Sequence, residues 1–192
     1  MENRERSPAV QSTSRTMILK QPGPGFDEPL EMLQACHERI QEQLATLERL
    51  GPHLEKHGCD AEARAAAQRV LRYFDTSGVF HHQDEDEDLF PLLAAKAAAA
   101  ARRDVSTALD ELREEHRTMD AQWKRLRERL QAVAGGEPRL AAEEVASFAW
   151  LYRRHMDREA TAVLPFARSV LSADERATLG RRMAARRNLT AQ

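Results

Sequence analysis

Cysteine is nearly missing from this chain: Cys36 and Cys59 are the two thiols in 192 residues. Two thiols cannot build a disulfide scaffold or a four-thiolate zinc site. They suit a reducing setting, so a cytoplasmic location is expected. Glycine and proline number eight each, too few for a collagen-like, disordered or loop-rich chain. Aromatic residues make up 5%, and β-branched residues are sparse beside Ala, Leu, Glu and Arg, which argues against a β-sandwich or barrel. Neither sign of charge prevails: 29 Lys and Arg face 31 Asp and Glu, a formal net charge of -2. That balance offers no footprint for nucleic acid, which is not expected as a partner. No run approaches the roughly 20 apolar residues of a membrane helix, so no membrane association is expected. The first residues lack the apolar core of a signal peptide, and their polarity predicts a flexible N-terminal tail over 1–26.

What the chain does hold is helix-forming residues at helical spacing, and seven histidines. The helix breakers cluster. Pro22, Gly23, Pro24, Gly25 and Pro29 end the tail; Gly51, Pro52 and Gly58 predict a first turn, Pro91 a second, and Gly135, Gly136 and Pro138 a third. Between them, four segments repeat apolar residues every three or four positions. The first carries Leu30, Leu33, His37, Ile40, Leu44, Leu47 and Leu50. The second, over 61–90, carries Val70, Phe74, Gly78, His81, Glu85 and Leu89. The third, over 104–134, carries Leu109, Leu112, His116, Met119 and Trp123. The fourth, over 139–170, carries Phe148, Tyr152, His155, Glu159 and Phe166. The prediction is an all-α, up-down-up-down four-helix bundle over 27–171. A short extra C-terminal helix and tail follow over 172–192, with Ser172 and Glu175 as a capping box. Ala94–Ala101 reads as helix, with no sign of which neighbour it joins.

One histidine interrupts each stripe: His37, His81, His116 and His155. Two stripes add a glutamate one turn later, and the local sequences match. Both His81-Gln-Asp-Glu-Glu85 and His155-Met-Asp-Arg-Glu159 read H-x-x-x-E, each with a proline six residues beyond the glutamate. A spacing of four sets both side chains on one helix face. At about 1.5 Å per residue, the four histidines fall within about one helical turn in height. Four imidazoles and two carboxylates therefore converge in one interior layer. Burying two ionised carboxylates without counter-charge costs on the order of several kcal/mol each, and a divalent metal removes that penalty. The mixed N/O set fits iron, manganese or zinc. Six side chains exceed the needs of one tetrahedral zinc, so two ions bridged by Glu85 and Glu159 fit better.

These residues resemble the hemerythrin-like family, the HHE cation-binding domains. The likeness runs from Pro29-Leu-Glu-Met-Leu-Gln-Ala-Cys-His37 through His81-His82-Gln-Asp-Glu85 to Pro91, then Glu115-His116 and His155-Met-Asp-Arg-Glu159, and covers about 28–187. It implies a non-haem di-iron centre inside the bundle, with His37, His81, His116 and His155 as terminal ligands and Glu85 and Glu159 as bridges. It also implies a small ligand such as O2, NO or peroxide. Oxygen-carrying hemerythrins place a second histidine four residues after the one on the third helix, where this chain has Asp120. Asp120 as a carboxylate ligand, His82, or a water are the alternatives for that place. The departure favours iron handling or sensing over reversible oxygen carriage. A di-iron enzyme, whether an oxidase, a peroxide-removing or an NO-reducing one, is the alternative function.

Tyr152 lies one turn before His155 and is expected beside the metals. Glu115 is read as a surface residue or one just outside the ligands. Phe74, Trp123, Phe148 and Phe166 read as packing, Cys36 as a packed thiol, and His53 and His57 as surface residues of the first turn. The acidic run Asp84–Asp88, Glu85 excepted, and the basic Arg181, Arg182, Arg186 and Arg187 each read as solvated helix faces.

Overall fold

Each of the four apolar stripes folds into a long helical rod. The computed structural model describes residues 23–189. Most of the expected tail, residues 1–22, lies outside the described residues, as do residues 190–192. The first rod is α1, Pro29–His57, and it runs straight through Gly51 and Pro52, which were expected to end it. Proline inside a helix costs about 3 kcal/mol. Continued burial of Leu47, Leu50 and Leu54 on one face outweighs that cost. The helix stops instead at Gly58, whose φ of 69° suits glycine and whose N–H closes on the Leu54 carbonyl.

The second rod joins α2 (Ala61–Phe74), α3 (Ser77–Gln83), a π-helical turn (Asp84–Leu89) and α4 (Phe90–Ala99). The break at Asp75 and Thr76 contains no glycine or proline. Tertiary partners hold it: Asp75 accepts from Trp123 Nε1 at 3.0 Å and from Arg127 Nε at 2.9 Å. Pro91 does not make the expected turn. The chain reverses only past Ala99, where Ala101 takes a φ of 53°, so the Ala-rich stretch belongs to the second rod. The third rod is α5, Arg103–Gly135, closed by Gly136 at φ 111°. The fourth joins α6 (Ala142–Arg158), a second π-turn (Glu159–Val163) and α7 (Leu164–Val170). The rods contact one another in a ring, α1 on α2 and α6, and α5 on α2 and α6. This is the expected up-down-up-down bundle. The extra helix α8, Ala173–Arg186, opens on the Ser172–Glu175 capping box.

The two π-turns occupy matching places. Each begins at or one residue before the glutamate of H-x-x-x-E and ends just before its proline. Phe90 N–H reaches back five residues to the Glu85 carbonyl, and Leu164 N–H does the same to Glu159. Proline lacks the donor an α-helix needs and crowds the carbonyl four residues back. A single wider turn absorbs that conflict and lets the rod continue. That is why Pro91 and Pro165 leave both rods intact.

The apolar core divides into two clusters. One holds Ile40, Leu44, Phe74, Leu126 and Phe148. The other holds Leu33, Leu89, Phe90, Leu112 and Phe166. Buried polar side chains fill the layer between them.

The two charged runs meet each other, although Glu87 and Arg182 also stay exposed to solvent. Asp84 has 0% exposure, and its partners Arg186 and Arg187 are only 14% and 15% exposed. Arg181 stays at the surface. Each run taken alone reads as solvated; only their opposite signs hint at pairing. On its inner side α8 meets the segment before α1. A Cβ at Gly180 would lie 1.7 Å from the Phe26 carbonyl oxygen. Gly180→Ala is therefore expected to cost about 1–3 kcal/mol of stability, read as a lower midpoint in chemical denaturation. An unchanged midpoint would show that the contact relaxes freely.

Candidate metal centre

All four rods supply the polar layer. His37 comes from α1, His81 and Glu85 from α3 and the first π-turn, His116 from α5, and His155 and Glu159 from α6 and the second π-turn. None of the six is more than 9% exposed. Glu159 reaches two histidines, His37 Nε2 at 2.9 Å through Oε2 and His155 Nε2 at 3.4 Å through Oε1. Glu85 does the same, with His81 Nε2 at 3.3 Å and His116 Nε2 at 3.4 Å. The ligand atoms fall into two groups, each spanning no more than 4.8 Å: His37, His81, Glu85 and Glu159, then Glu85, His116, His155 and Glu159. Both carboxylates belong to both groups.

His116 Nε2 and His155 Nε2 lie 3.0 Å apart, but the other donor atoms are short of partners. Apart from the imidazole–carboxylate approaches just given, His37 Nε2, both ring nitrogens of His81, Glu85 Oε2 and Glu159 Oε2 are buried with no aligned hydrogen-bond partner among the described residues. Buried polar atoms are normally paired. A set of imidazoles and carboxylates left open in this way fits a divalent cation of the iron, manganese or zinc type.

A second ring of acids orients the imidazoles. His116 Nδ1 lies 2.9 Å from Asp86 Oδ2, and His155 Nδ1 lies 3.1 Å from Glu115 Oε2. Glu115 is itself held by Arg154 and Arg158. A carboxylate on Nδ1 fixes the ring and turns Nε2 towards the metal. Asp86 is the one the sequence reading missed, because it was counted with the solvated acids. Its place next to Glu85 was the available signal.

The charges inside the layer are divided unequally. Burial, then the neighbouring Glu159, pushes Glu85 well above the ordinary carboxylate range. Burial acts on Glu159 in the same direction, but the His155 and His37 rings outweigh it and hold Glu159 well below that range. Burial also opposes a charged His155, yet Glu159 and the bond to Glu115 bring its pKa up to about 9. Burial and the nearby His37 hold His81 well below the usual histidine value, so it is neutral.

A family model described as the hemerythrin HHE cation-binding domain matches residues 28–167. The chain belongs to that family. A Haemophilus influenzae protein, itself named only as uncharacterized, is 30% identical over 165 residues, which span 85% of this chain and 92% of the relative. Membership in the hemerythrin HHE family implies a metal ion, and the buried histidines and glutamates fit one.

The remaining candidates lie outside both groups of histidines and glutamates. Asp120, at the place of the missing helix-3 histidine, is 68% exposed, and its Oδ1 stands 3.9 Å from His82 Nδ1. The His82 ring stacks on His116 with centroids 4.1 Å apart. Its Nε2 lies within hydrogen-bond distance of the Tyr152 hydroxyl, at 3.3 Å. Burial brings His82 down to about 4, against the pull of Asp120. Tyr152 thus stands next to the two groups of histidines and glutamates, joined to them through His82. Phe74, Phe148 and Trp123 pack below it. Cys36 is a buried free thiol, and burial pushes its pKa up. Of the two histidines assigned to the first turn, His57 is exposed and His53 half-buried at the end of α1. Among the described helices none is long and apolar enough to cross a membrane.

Proposed function

We propose that this hemerythrin-like chain is a cytoplasmic, non-haem di-iron protein that binds a small ligand, O2, NO or peroxide, in sensing, iron handling or the response to stress. The working unit is the bundle over 27–171, with the tail over 1–26 and the segment 172–192 as additions. One observation carries the reading: Glu85 and Glu159 each belong to both donor groups, so two ions would share them. His37 and His81 would hold one ion, His116 and His155 the other, and the two glutamates would bridge and neutralise the pair. Iron would supply an exchangeable, redox-active coordination position when bound. The chain's own part is to fix the four rings, with Asp86 and Glu115 locking two of them, and to keep water out. Phe74 and Phe148 close one side and Phe90 the other.

Metal analysis of protein purified without added metal tests this. Two irons per chain are expected; one zinc, one manganese, or no metal overturns it. Visible spectra under O2, NO and peroxide then separate binding from turnover. The Tyr152 phenol hydrogen-bonded to His82 favours a second reading, a di-iron oxidase, peroxide-removing or NO-reducing enzyme. Rapid peroxide loss that vanishes in His81→Ala would select that reading. A stable ligand band without turnover would select binding.

A further inference from the structure

The two H-x-x-x-E-x5-P segments make the same turn but differ in charge. Around Glu159 the turn reads Glu-Ala-Thr-Ala-Val; around Glu85 it reads Asp-Glu-Asp-Glu-Asp-Leu. Five consecutive carboxylates repel one another and, left alone, strain a helical turn. Asp86 is engaged by His116. The other three acids are met by α8. Arg186 bonds to Asp84, to Glu87 at 3.0 Å and to Asp88 at 2.7 Å. Arg187 grips Asp84 at 2.7 and 3.2 Å, and Arg182 reaches Asp88 at 3.0 Å. The Arg187 guanidinium also lies 5.7 Å from the Phe26 ring centre and 5.3 Å from that of Phe80. The Arg187–Asp84 pair is bidentate and largely buried, and such a pair holds geometry as well as charge. The family match ends at residue 167, before α8 begins.

We infer that α8 is a clamp on the first π-turn, and that Arg186 and Arg187 are positioning residues that keep Glu85 aimed at both donor groups. The clamp rests on the di-metal reading above only for its consequence, which is slower loss of metal. Among the described residues no arginine of α8 reaches the second π-turn, which carries no acid besides Glu159 and packs on α5 instead. Helix α8 therefore makes metal retention depend on a segment outside the bundle.

The test compares the full chain with Arg186→Gln/Arg187→Gln, with Arg186→Lys/Arg187→Lys, and with Arg181→Gln as a surface control. Each is loaded with Fe(II), and the rate of iron loss to an excess of chelator is followed. Amide hydrogen exchange of residues 84–90 and 159–164 is measured in the metal-free proteins. The glutamine pair is expected to lose iron at least tenfold faster and to exchange faster over 84–90 but not over 159–164. The lysine pair should recover part of both effects, and Arg181→Gln should match the wild type. Should the glutamine pair fail to fold, the single variant Arg187→Gln, which leaves Arg186 in place, is read in the same way. Exchange over 84–90 that is unchanged, or raised equally in both turns, overturns the clamp. Failure of the wild type to take up Fe(II) overturns the di-iron reading instead, and the exchange comparison still decides the clamp.

Discussion

Glu159→Ala is expected to empty both metal positions, not one. Its Oε2 faces His37 and its Oε1 faces His155, so one substitution removes a donor from each group. Iron per chain should fall from two to near zero after dialysis, while helicity measured by circular dichroism persists. A centre built of two independent sites would lose one ion and keep the other. Adding His155→Ala removes a second donor from the His116 group, and retention of full metal by that double variant would falsify the ligand assignment. Asp120→Ala makes the contrast. An acid 68% exposed and 3.9 Å from its nearest imidazole is outside either group, and its removal should leave iron content unchanged. Asp86→Ala and Glu115→Ala should fall between these cases. Each leaves the donors in place but frees a ring, and losing such an orienting acid typically weakens metal binding about 10–100-fold.

How much of this was legible in the sequence depends on the range of the interaction involved. The stripes and the H-x-x-x-E pairs are written in local periodicity, so the bundle and its inward histidines could be read directly. Their common height followed from rise per residue alone. Prolines 52 and 91 were misread because their local meaning is to break a helix. Burial of Leu47, Leu50 and Leu54 overrode the first, and the π-turn ahead of Pro91 absorbed the second. The turn at Ala100–Arg102 was invisible for the opposite reason, since alanine carries no turn signal at all. The acidic run and the basic end of α8 stand about a hundred residues apart. Nothing local says that Asp84 will be fully buried against Arg187, and a charged run taken alone is best assigned to solvent. Asp86 was lost with its neighbours, although its partner His116 was identified.

His81→Leu is expected to make the metal-free protein more stable and the metal-loaded protein less so. His81 is neutral and buried; its Nδ1 has no hydrogen-bond partner, and its Nε2 faces Glu85 Oε1 at 3.3 Å without an aligned bond. A buried polar group left unpaired costs about 1–3 kcal/mol. Leucine is of similar size, carries no polar atom, and meets Leu-rich clusters above and below the layer. The variant should therefore gain about 1–3 kcal/mol in denaturant unfolding with chelator present. With metal the order reverses. A ligand held at a hundredfold excess over its dissociation constant adds about 2.7 kcal/mol to the wild type, and the variant, lacking a donor in the His37 group, forgoes that gain at this position. The two unfolding midpoints should cross when chelator replaces iron. A variant less stable than the wild type under both conditions would mean that His81 is a structural core residue rather than a donor held open for metal.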